Sequence, residues 1–382
     1  MSSLLIISHT MHYKKSNDII VGWEPTIREI NFLSKIFDNI IHLAPLYDLD
    51  PHSATIEYKD KKIKFIPLIP SGGKTLLSKI SILITMPINI YRIYKIINKT
   101  DWIHFRAPCN LGIFVLPILT LLRNRKIWIK YAGNWKQRDV PISYKFQRWW
   151  LENNFINAYV TINGSWPKQK KHLITFDNPC VSKNELEYAS KRTNNKFDYK
   201  KLNICFVGRL EVEKGFNLLA DVLLQNKYKS WIDQIHFIGD GSQKEFYENK
   251  FTDSDLNINF HGLLDRKSLN MVYELSHLII LPSISEGFPK VLIEAGSFGC
   301  IPVVANINSI SMYINESHKN GFLIPSINIK GVKERLEYIK NLKIEELLIY
   351  SRRIMEFSKK YSYENYNKNI VSKIIKQKIN EQ

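Results

Sequence analysis

The sequence is poor in cysteine. Cys109, Cys180, Cys205 and Cys300 stand far apart and form no Cys-x-x-Cys pair. That spacing suggests neither a disulfide framework nor a zinc site, and a reducing compartment is the simplest reading. Long uncharged apolar runs are missing as well. Residues 80–97 are broken by Pro87, Asn89, Arg92 and Lys95, and residues 111–122 fall well short of the roughly 20 needed to cross a bilayer. Both stretches read as buried or interfacial helices. Residues 1–8 lack a basic start and a long apolar core, so they read as a first buried strand and not as a secretory signal. Gln/Asn tracts, collagen-like periods and solenoid repeats do not occur.

Acidic residues are scarce in the first half. Residues 1–180 hold 25 Lys and Arg against 12 Asp and Glu, a balance of +13, which leaves +5 of the total of +18 for the remainder. Such a half faces nucleic acid, an anionic membrane surface or a phosphorylated substrate, or it simply carries solvated lysines. No nucleic-acid motif accompanies Trp135, Trp149 and Trp150, so nucleic acid is not expected as a partner. Basic and apolar helices across residues 74–99 could instead rest on anionic lipid.

What is present is ample apolar material: 45% hydrophobic and 12% aromatic over 382 residues, enough for two cores. Short apolar runs at 4–8, 40–43, 63–66, 102–105, 127–131 and 159–162 read as strands of a first half. Runs at 202–207, 235–238, 258–260, 278–281, 301–304 and 322–324 read as strands of a second. Helix-like segments separate them, which indicates α/β domains with parallel sheets covered on both faces. The expected organisation is an N-terminal Rossmann-like domain at 1–183, a polar linker at 184–201, and a second Rossmann-like domain at 202–360. A C-terminal helix at 361–382 either packs back on the first domain or stays solvated.

Two segments carry chemistry. In the first, a strand ending at Val207 leads into a loop holding Gly208, Arg209, Lys214 and Gly215, with a helix beginning near Phe216. Ligands of parallel α/β sheets bind outside the carboxyl ends of strands, and a helix N-terminus flanked by two cations suits a diphosphate. In the second, a strand ending at Leu281 leads into residues 283–287, with Pro289 at the first helical position and Gly299 closing the helix. Glu286 sits on that loop and Glu294 on the helix about two turns on, so two carboxylates could hold the two ends of a nucleotide sugar. Gly287 lets the backbone approach phosphate closely.

These residues carry a family resemblance. Gly208-Arg209 with Lys214-Gly215, then Ser285-Glu286-Gly287-Phe288-Pro289 and Glu294 at Glu-x7-Glu spacing, resemble the retaining family-4 glycosyltransferases of the two-domain GT-B fold, whose sheets face a central cleft. Phe237-Ile-Gly-Asp-Gly241, Phe260-His-Gly262 and Asn320-Gly-Phe-Leu-Ile324 add to it, so that it covers roughly residues 200–325. The resemblance implies that Arg209 and Lys214 bind the donor diphosphate and neutralise the leaving group. It implies that Glu286 contacts the transferred sugar, that Gly287 and Phe288 offer backbone amides, and that Glu294 binds the ribose hydroxyls. Gly239, Gly241, His261 and Gly262 would lie near the base, with Gly208 and Pro289 completing the donor loops. Family members need no metal or cofactor, the donor being a UDP- or GDP-sugar, and keep the anomeric configuration.

In the first half, Asp101-Trp-Ile-His104-Phe-Arg106 resembles the family's Asp-x-x-His-x-His, with Arg106 in place of the second His. His104 and Arg106 are therefore candidates near the reacting sugar, Arg106 either orienting acceptor or donor phosphate or forming a structural salt bridge. His9 and Gly22 fall where relatives place a glycine-rich loop, and Asn134 and Trp135 end a later strand; all four are expected at the acceptor pocket. Ser71-Gly-Gly-Lys-Thr75 lacks the P-loop's first glycine, since Leu68 occupies that place. Asp48-Leu-Asp50 reads as a solvated turn and not as a metal site. The expectation is thus a cytoplasmic transferase, peripheral at the inner face of a bacterial membrane, adding a sugar to a saccharide or lipid-linked acceptor in surface polysaccharide synthesis. A nucleotide-sugar binder without transfer, and a basic membrane-surface binding protein, stay open beside it.

Overall fold

The computed structural model describes residues 2–72, 76–122, 124–137, 140–193, 196–197, 201–225, 228–288 and 290–376. Pro289 and the Gly73-Lys74-Thr75 part of the P-loop-like segment lie outside the described residues. The chain divides into two compact units, Met1–Asp177 with Tyr366–Gln382, and Asn178–Asn365.

The first unit holds strands β1 (Ser3–Ile7), β2 (His12–Lys14), β3 (Ile20–Trp23), β4 (Asn39–Tyr47), β5 (Thr55–Glu57), β6 (Ile63–Leu68), β7 (Trp102–Ala107), β8 (Lys126–Tyr131), β9 (Tyr159–Ile162) and β10 (Leu173–Thr175). Its helices are α1 (Glu24–Leu33), α2 (Leu76–Ile97), α3 (Gly112–Leu121) and α4 (Ile142–Glu152). Strands β10-β9-β8-β7-β1-β4 pair in that order, all parallel, and β6 extends the sheet beyond β4. Strands β2, β3 and β5 add an antiparallel ribbon through β2 against the far end of β4. Side chains alternate across this sheet. Leu5, Ile7, Ile103, Phe105, Ile127 and Ile129 face one core with α2, α3 and α4. Leu4, Ile6, Trp102 and Trp128 face another, packed on Ile30 and Leu33 of α1. Tyr366, Ile370 and Ile374 of the C-terminal helical segment join that second core.

The second unit has strands β11 (Leu202–Val207), β12 (Ile232–Ile238), β13 (Asn257–Gly262), β14 (Leu278–Leu281), β15 (Ile301–Ala305) and β16 (Phe322–Ile324). Its helices are α5 (Lys183–Arg192), α6 (Phe216–Leu223), α7 (Lys244–Phe251), α8 (Arg266–Leu275), α9 (Lys290–Ser297), α10 (Asn308–Ser311), α11 (Ile329–Lys340) and α12 (Ile344–Ser358); α13 (Tyr363–Ile370) begins here. The sheet order is β13-β12-β11-β14-β15-β16 and every pairing is parallel. Numbered within the unit this is 3-2-1-4-5-6, the doubly wound order whose direction reverses between its first and fourth strands.

The stretch expected as a linker is ordered at its start by α5, inside the second unit. Its polarity conceals a helix start: Ser182 Oγ accepts from the Glu185 amide while the Glu185 carboxylate accepts from the Ser182 amide, a reciprocal cap. Lys196, in the same stretch, is buried and donates to the carbonyls of Tyr273 and Phe298 at 2.8 and 2.5 Å. No helix among the described residues is long and apolar enough to cross a membrane.

Candidate functional site

Strands β11 and β14 are neighbours at the reversal point of the second sheet, and their carboxyl ends are Val207 and Leu281. The loops leaving such a pair diverge to opposite faces, which opens a ligand crevice. Both motif loops begin here. They are clamped to each other by Gly215, whose φ of +68° is the left-handed conformation favouring glycine. A Cβ at that position would stand 2.1 Å from the Pro282 carbonyl oxygen, so the backbones meet only because no side chain is there. The Ile284 amide donates to the Glu213 carbonyl at 3.0 Å, and Ser283 Oγ donates to the Lys214 carbonyl at 3.4 Å.

That clamp sets Lys214 Nζ 2.6 Å from Glu286 Oε1, with side-chain exposures of 23% and 10%. The pair is half sheltered, where attraction is stronger than in open water, and yet open enough for the ammonium to take a second partner. Arg209 pairs with Glu213 at 3.1 Å on the surface, 62% exposed, so its guanidinium is cheaply redirected. One sheltered and one mobile cation thus stand beside the start of α6.

Glu294 has a partner that the sequence did not advertise. Arg266, the first residue of α8, donates to Glu294 Oε2 at 2.8 Å and to Glu185 Oε1 at 2.9 Å, and reaches the Cys180 carbonyl at 3.4 Å. Burial opposes this guanidinium's charge, but the Glu294 and Glu185 carboxylates hold its pKa above the ordinary value. The arrangement fixes the Glu294 carboxylate from one side and ties it to the cap of α5. An Arg behind an Asp N-cap, as Asp265 is here, carries no motif, and only the fold brings it to Glu294.

The glycine loops at the ends of β11, β12 and β13 lie side by side. The Gly208 amide donates to the Ile238 carbonyl at 3.0 Å and the Gly239 amide to the Gly262 carbonyl at 2.8 Å. A Cβ on Gly239 would meet the Gly208 oxygen at 1.8 Å, and one on Gly241 the Leu210 oxygen at 2.5 Å. His261 is exposed and sits with Nε2 3.0 Å from His236 Nδ1; burial lowers both imidazoles, His236 to about 4. Phe288 stacks on Tyr361 and meets Tyr313 edge-on, so its ring anchors the loop, leaving Gly287 beside it half-buried.

The first unit treats its candidates differently. Arg106 is held by Glu29 on α1 through two bonds of 2.8 and 3.3 Å; Lys130 Nζ donates to both Glu29 oxygens at 2.9 Å, and Tyr366 Oη to one at 2.7 Å. Glu29 is fully buried, so Arg106 forms the salt bridge that was one of its two expected roles. His104 is fully buried, stacks on Trp128 and bonds the Trp128 carbonyl at 3.1 Å. Desolvation, aided by Arg106, lowers its pKa to about 3. His104 is thus a neutral, enclosed imidazole within the first unit. Trp135 is likewise a core residue, edge-on to Tyr131. Gly22 makes room for the His12 ring, which a Cβ would meet at 2.6 Å. Asn134 Oδ1 accepts from the Lys136 amide at 3.0 Å, and His9 is half-buried with Nδ1 lacking a hydrogen-bond partner.

Unforeseen is a largely buried hydrogen-bonded chain that runs from Ser8, just past β1, through His42 in the middle of β4. Because His12 Nδ1 faces the Thr10 carbonyl at 2.8 Å, it carries the proton, and the remaining tautomers follow. Ser8 Oγ donates to His42 Nε2 (2.7 Å), His42 Nδ1 to Tyr58 Oη (2.6 Å), and Tyr58 Oη to His12 Nε2 (2.8 Å). The Thr10 amide closes the circuit onto Ser8 Oγ at 3.2 Å, which fixes the loop bearing His9.

The profile of a family described as "Glycosyl transferases group 1" matches residues 188–360. A Haemophilus influenzae protein, "Uncharacterized glycosyltransferase", is 31% identical over 46% of this chain and 48% of its own, so the chain spans about half of that relative. A Klebsiella pneumoniae protein, "Uncharacterized 41.2 kDa protein in cps region", is 30% identical over 70% of this chain and 76% of its own. The solved structure of Anabaena HepE in complex with UDP and glucose covers 99% of this chain and 100% of that one, with a TM-score of 0.66 at 14% identity. That likeness shows the fold: two Rossmann-like domains of the GT-B kind.

Proposed function

The chain belongs to the group 1 glycosyl transferases, and from that premise we propose that it is a retaining, metal-independent enzyme using a UDP- or GDP-sugar as donor. The acceptor is a saccharide or lipid-linked saccharide of a bacterial surface polysaccharide, a reading supported by the cps-region relative. No cofactor takes part.

The observation that carries the donor reading is the Lys214–Glu286 pair at the reversal point of the second sheet. Lys214 links a carboxylate suited to sugar hydroxyls with the loop suited to phosphate, so one ammonium positions both sides of the bond to be broken. Arg209 leaves its weak surface pair and adds a second charge as the diphosphate departs. Glu294, steadied by Arg266, offers its free oxygen to the ribose hydroxyls. In the proposed step the acceptor oxygen bonds to the anomeric carbon on the face the phosphate leaves. The carbon–phosphate-oxygen bond breaks, and the acceptor proton passes to that departing oxygen. Two protein cations supply the charge stabilisation that a metal gives elsewhere, and no glycosidase-like carboxylate pair is needed.

The test is turnover of UDP- and GDP-sugars with excess chelator, with the product's anomeric configuration read by NMR. The proposal expects chelator-insensitive turnover with retention, and a fall of about 10²–10³ in kcat for Arg209→Ala. Inversion, or activity that returns only with added divalent ion, contradicts it. The capture of Arg106 by Glu29 favours one second reading, a protein that binds the nucleotide sugar without transferring it. Tight donor binding with no turnover against any saccharide acceptor would favour that reading.

A further inference from the structure

The helical layer α2–α4 covers one face of the first unit's sheet, with Met86, Ile93, Leu116, Leu119 and Leu151 turned inward. Its outward side is not polar, as the outside of such a layer ordinarily is. On α2, Leu83 and Ile84 are 67% and 70% exposed, and Ile88, Tyr91 and Tyr94 continue the stripe about one, two and three turns on. On α3, Leu121 is 85% exposed and the helix contains no charged residue. On α4, Ile142 is 84% exposed and forms a stripe with Lys145 and Trp149 at i, i+3, i+7. Ten of the 25 large apolar side chains exposed among the described residues fall between Leu83 and Phe155. Apolar patches of this breadth on one side of a unit mark a surface that meets something apolar.

Charge identifies what it meets. From Lys61 to Arg138 the sequence has 15 Lys and Arg and a single acid, Asp101. Lys95 and Lys99 are exposed at the end of the α2 stripe. There a polar hollow of about 380 Å³ opens, lined by Asn98, Lys99, Thr100, Asn124, Arg125 and Lys126 and by one acid, Asp101, whose carboxylate accepts from Ser3. Arg125 is occupied in closing α2, through the Ile97 and Thr100 carbonyls, while Lys99 and Lys126 are exposed, Lys126 with its Nζ 5.7 Å from the centre of the Trp102 ring. Apolar and interfacial aromatic side chains flanked by lysines, with almost no acid, match a bilayer surface of anionic lipid: acyl chains for Leu83 and Ile84, headgroup phosphates for Lys95, Lys99 and Lys126. A protein partner would call for mixed charge at the rim, and nucleic acid has no use for the aliphatic stripe.

We propose that the outer face of α2–α4 is a docking surface for an anionic bilayer. This goes beyond the donor reading and does not depend on it, since the donor residues all lie in the other unit.

The test is flotation of the full chain with phosphatidylcholine vesicles, alone or with about 30% phosphatidylglycerol. The chain is expected to float with the mixed vesicles and to release in high salt. Leu83→Ser with Ile84→Ser should weaken partitioning tenfold or more, both residues being too exposed to support the fold. Lys95→Glu with Lys99→Glu should weaken it by about 30-fold or more at low salt. Lys330→Glu with Lys340→Glu, an equal charge change on the other unit, should change it far less. The proposal fails if the chain ignores anionic vesicles, or if the control pair weakens binding as much as the α2 pair. It also fails if sizing shows a wild-type dimer that the Leu83/Ile84 variant dissolves, for then a second copy covers the face. Nucleotide-induced thermal shifts should be the same in every variant, so failure here leaves the donor site untouched.

Discussion

Single residues carry most of the site's geometry. Gly215 does two things no other residue can, adopting a positive φ and admitting the Pro282 carbonyl. Gly215→Ala is therefore expected to cost about 2 kcal/mol or more in the second unit, through strain and forced separation of the two loops. Urea unfolding followed by a probe in that unit checks it, and an unchanged midpoint would mean the loops are not clamped. The histidines make a second residue-scale prediction. His12 and His104 have pKa values lowered to about 4 and about 3, mainly by burial, and His42 is lowered well below its ordinary value by the same cause. An unfolded histidine titrates near 6.5. Between pH 6.5 and about 4 the unfolded chain binds protons that the folded one does not, so stability falls as pH falls. Each such histidine contributes about 1.4 kcal/mol per pH unit in that window. The melting temperature of the first unit should drop steeply below pH 6; a flat profile from pH 7 to 5 would show that these side chains charge freely in the fold.

At the scale of elements, the C-terminal segment is bound to the first unit by a few buried side chains. Ile370 and Ile374 are at or near zero exposure in the core against α1, and Tyr366 closes the charge cluster around Glu29. Ile370→Ala with Ile374→Ala should cost the first unit about 4 kcal/mol or more. Limited proteolysis should then remove the segment; resistance equal to wild type would place its anchoring elsewhere. Most elements were legible beforehand, and the exceptions have physical reasons. The twelve apolar runs all became strands because buried parallel strands need continuous apolar sequence. The β2–β3–β5 ribbon was not legible, since His12–Lys14 and Thr55–Glu57 are short and polar and make sense only against the end of β4. Helix α5 was hidden by its polarity, with Ala189 the only fully buried residue on it. In the site, Lys214 and Glu286 were legible because motif spacing places them. Arg266, Glu29, His42 and Tyr58 were not, because each acts on a partner tens of residues or more away that only the topology supplies.

At the scale of the whole molecule, the same device occurs twice. In each unit the sheet order reverses beside its first strand, at β1–β7 and at β11–β14. In the second unit the reversal point keeps both cations reachable, Lys214 half sheltered on Glu286 and Arg209 exposed on the surface. In the first, the corresponding ends are filled by the protein itself, Arg106 and Lys130 by Glu29, and Ser8 by His42. The charge surplus of the first unit instead extends to its outer helices. Exposed cationic chemistry is thus divided between the reversal point of the second unit and a basic, apolar face on the outer helices of the first.

The most direct test of the central claim is thermal stability measured with UDP and with GDP in the presence of chelator, for wild type and for Lys214→Ala and Glu294→Ala. A ligand bound only by the folded state raises the melting temperature according to its concentration and affinity. The account predicts a shift with one of the two nucleotides, undiminished by chelator and abolished or strongly reduced in both variants. No shift with either nucleotide, or an equal shift in folded Lys214→Ala and Glu294→Ala proteins, would contradict it.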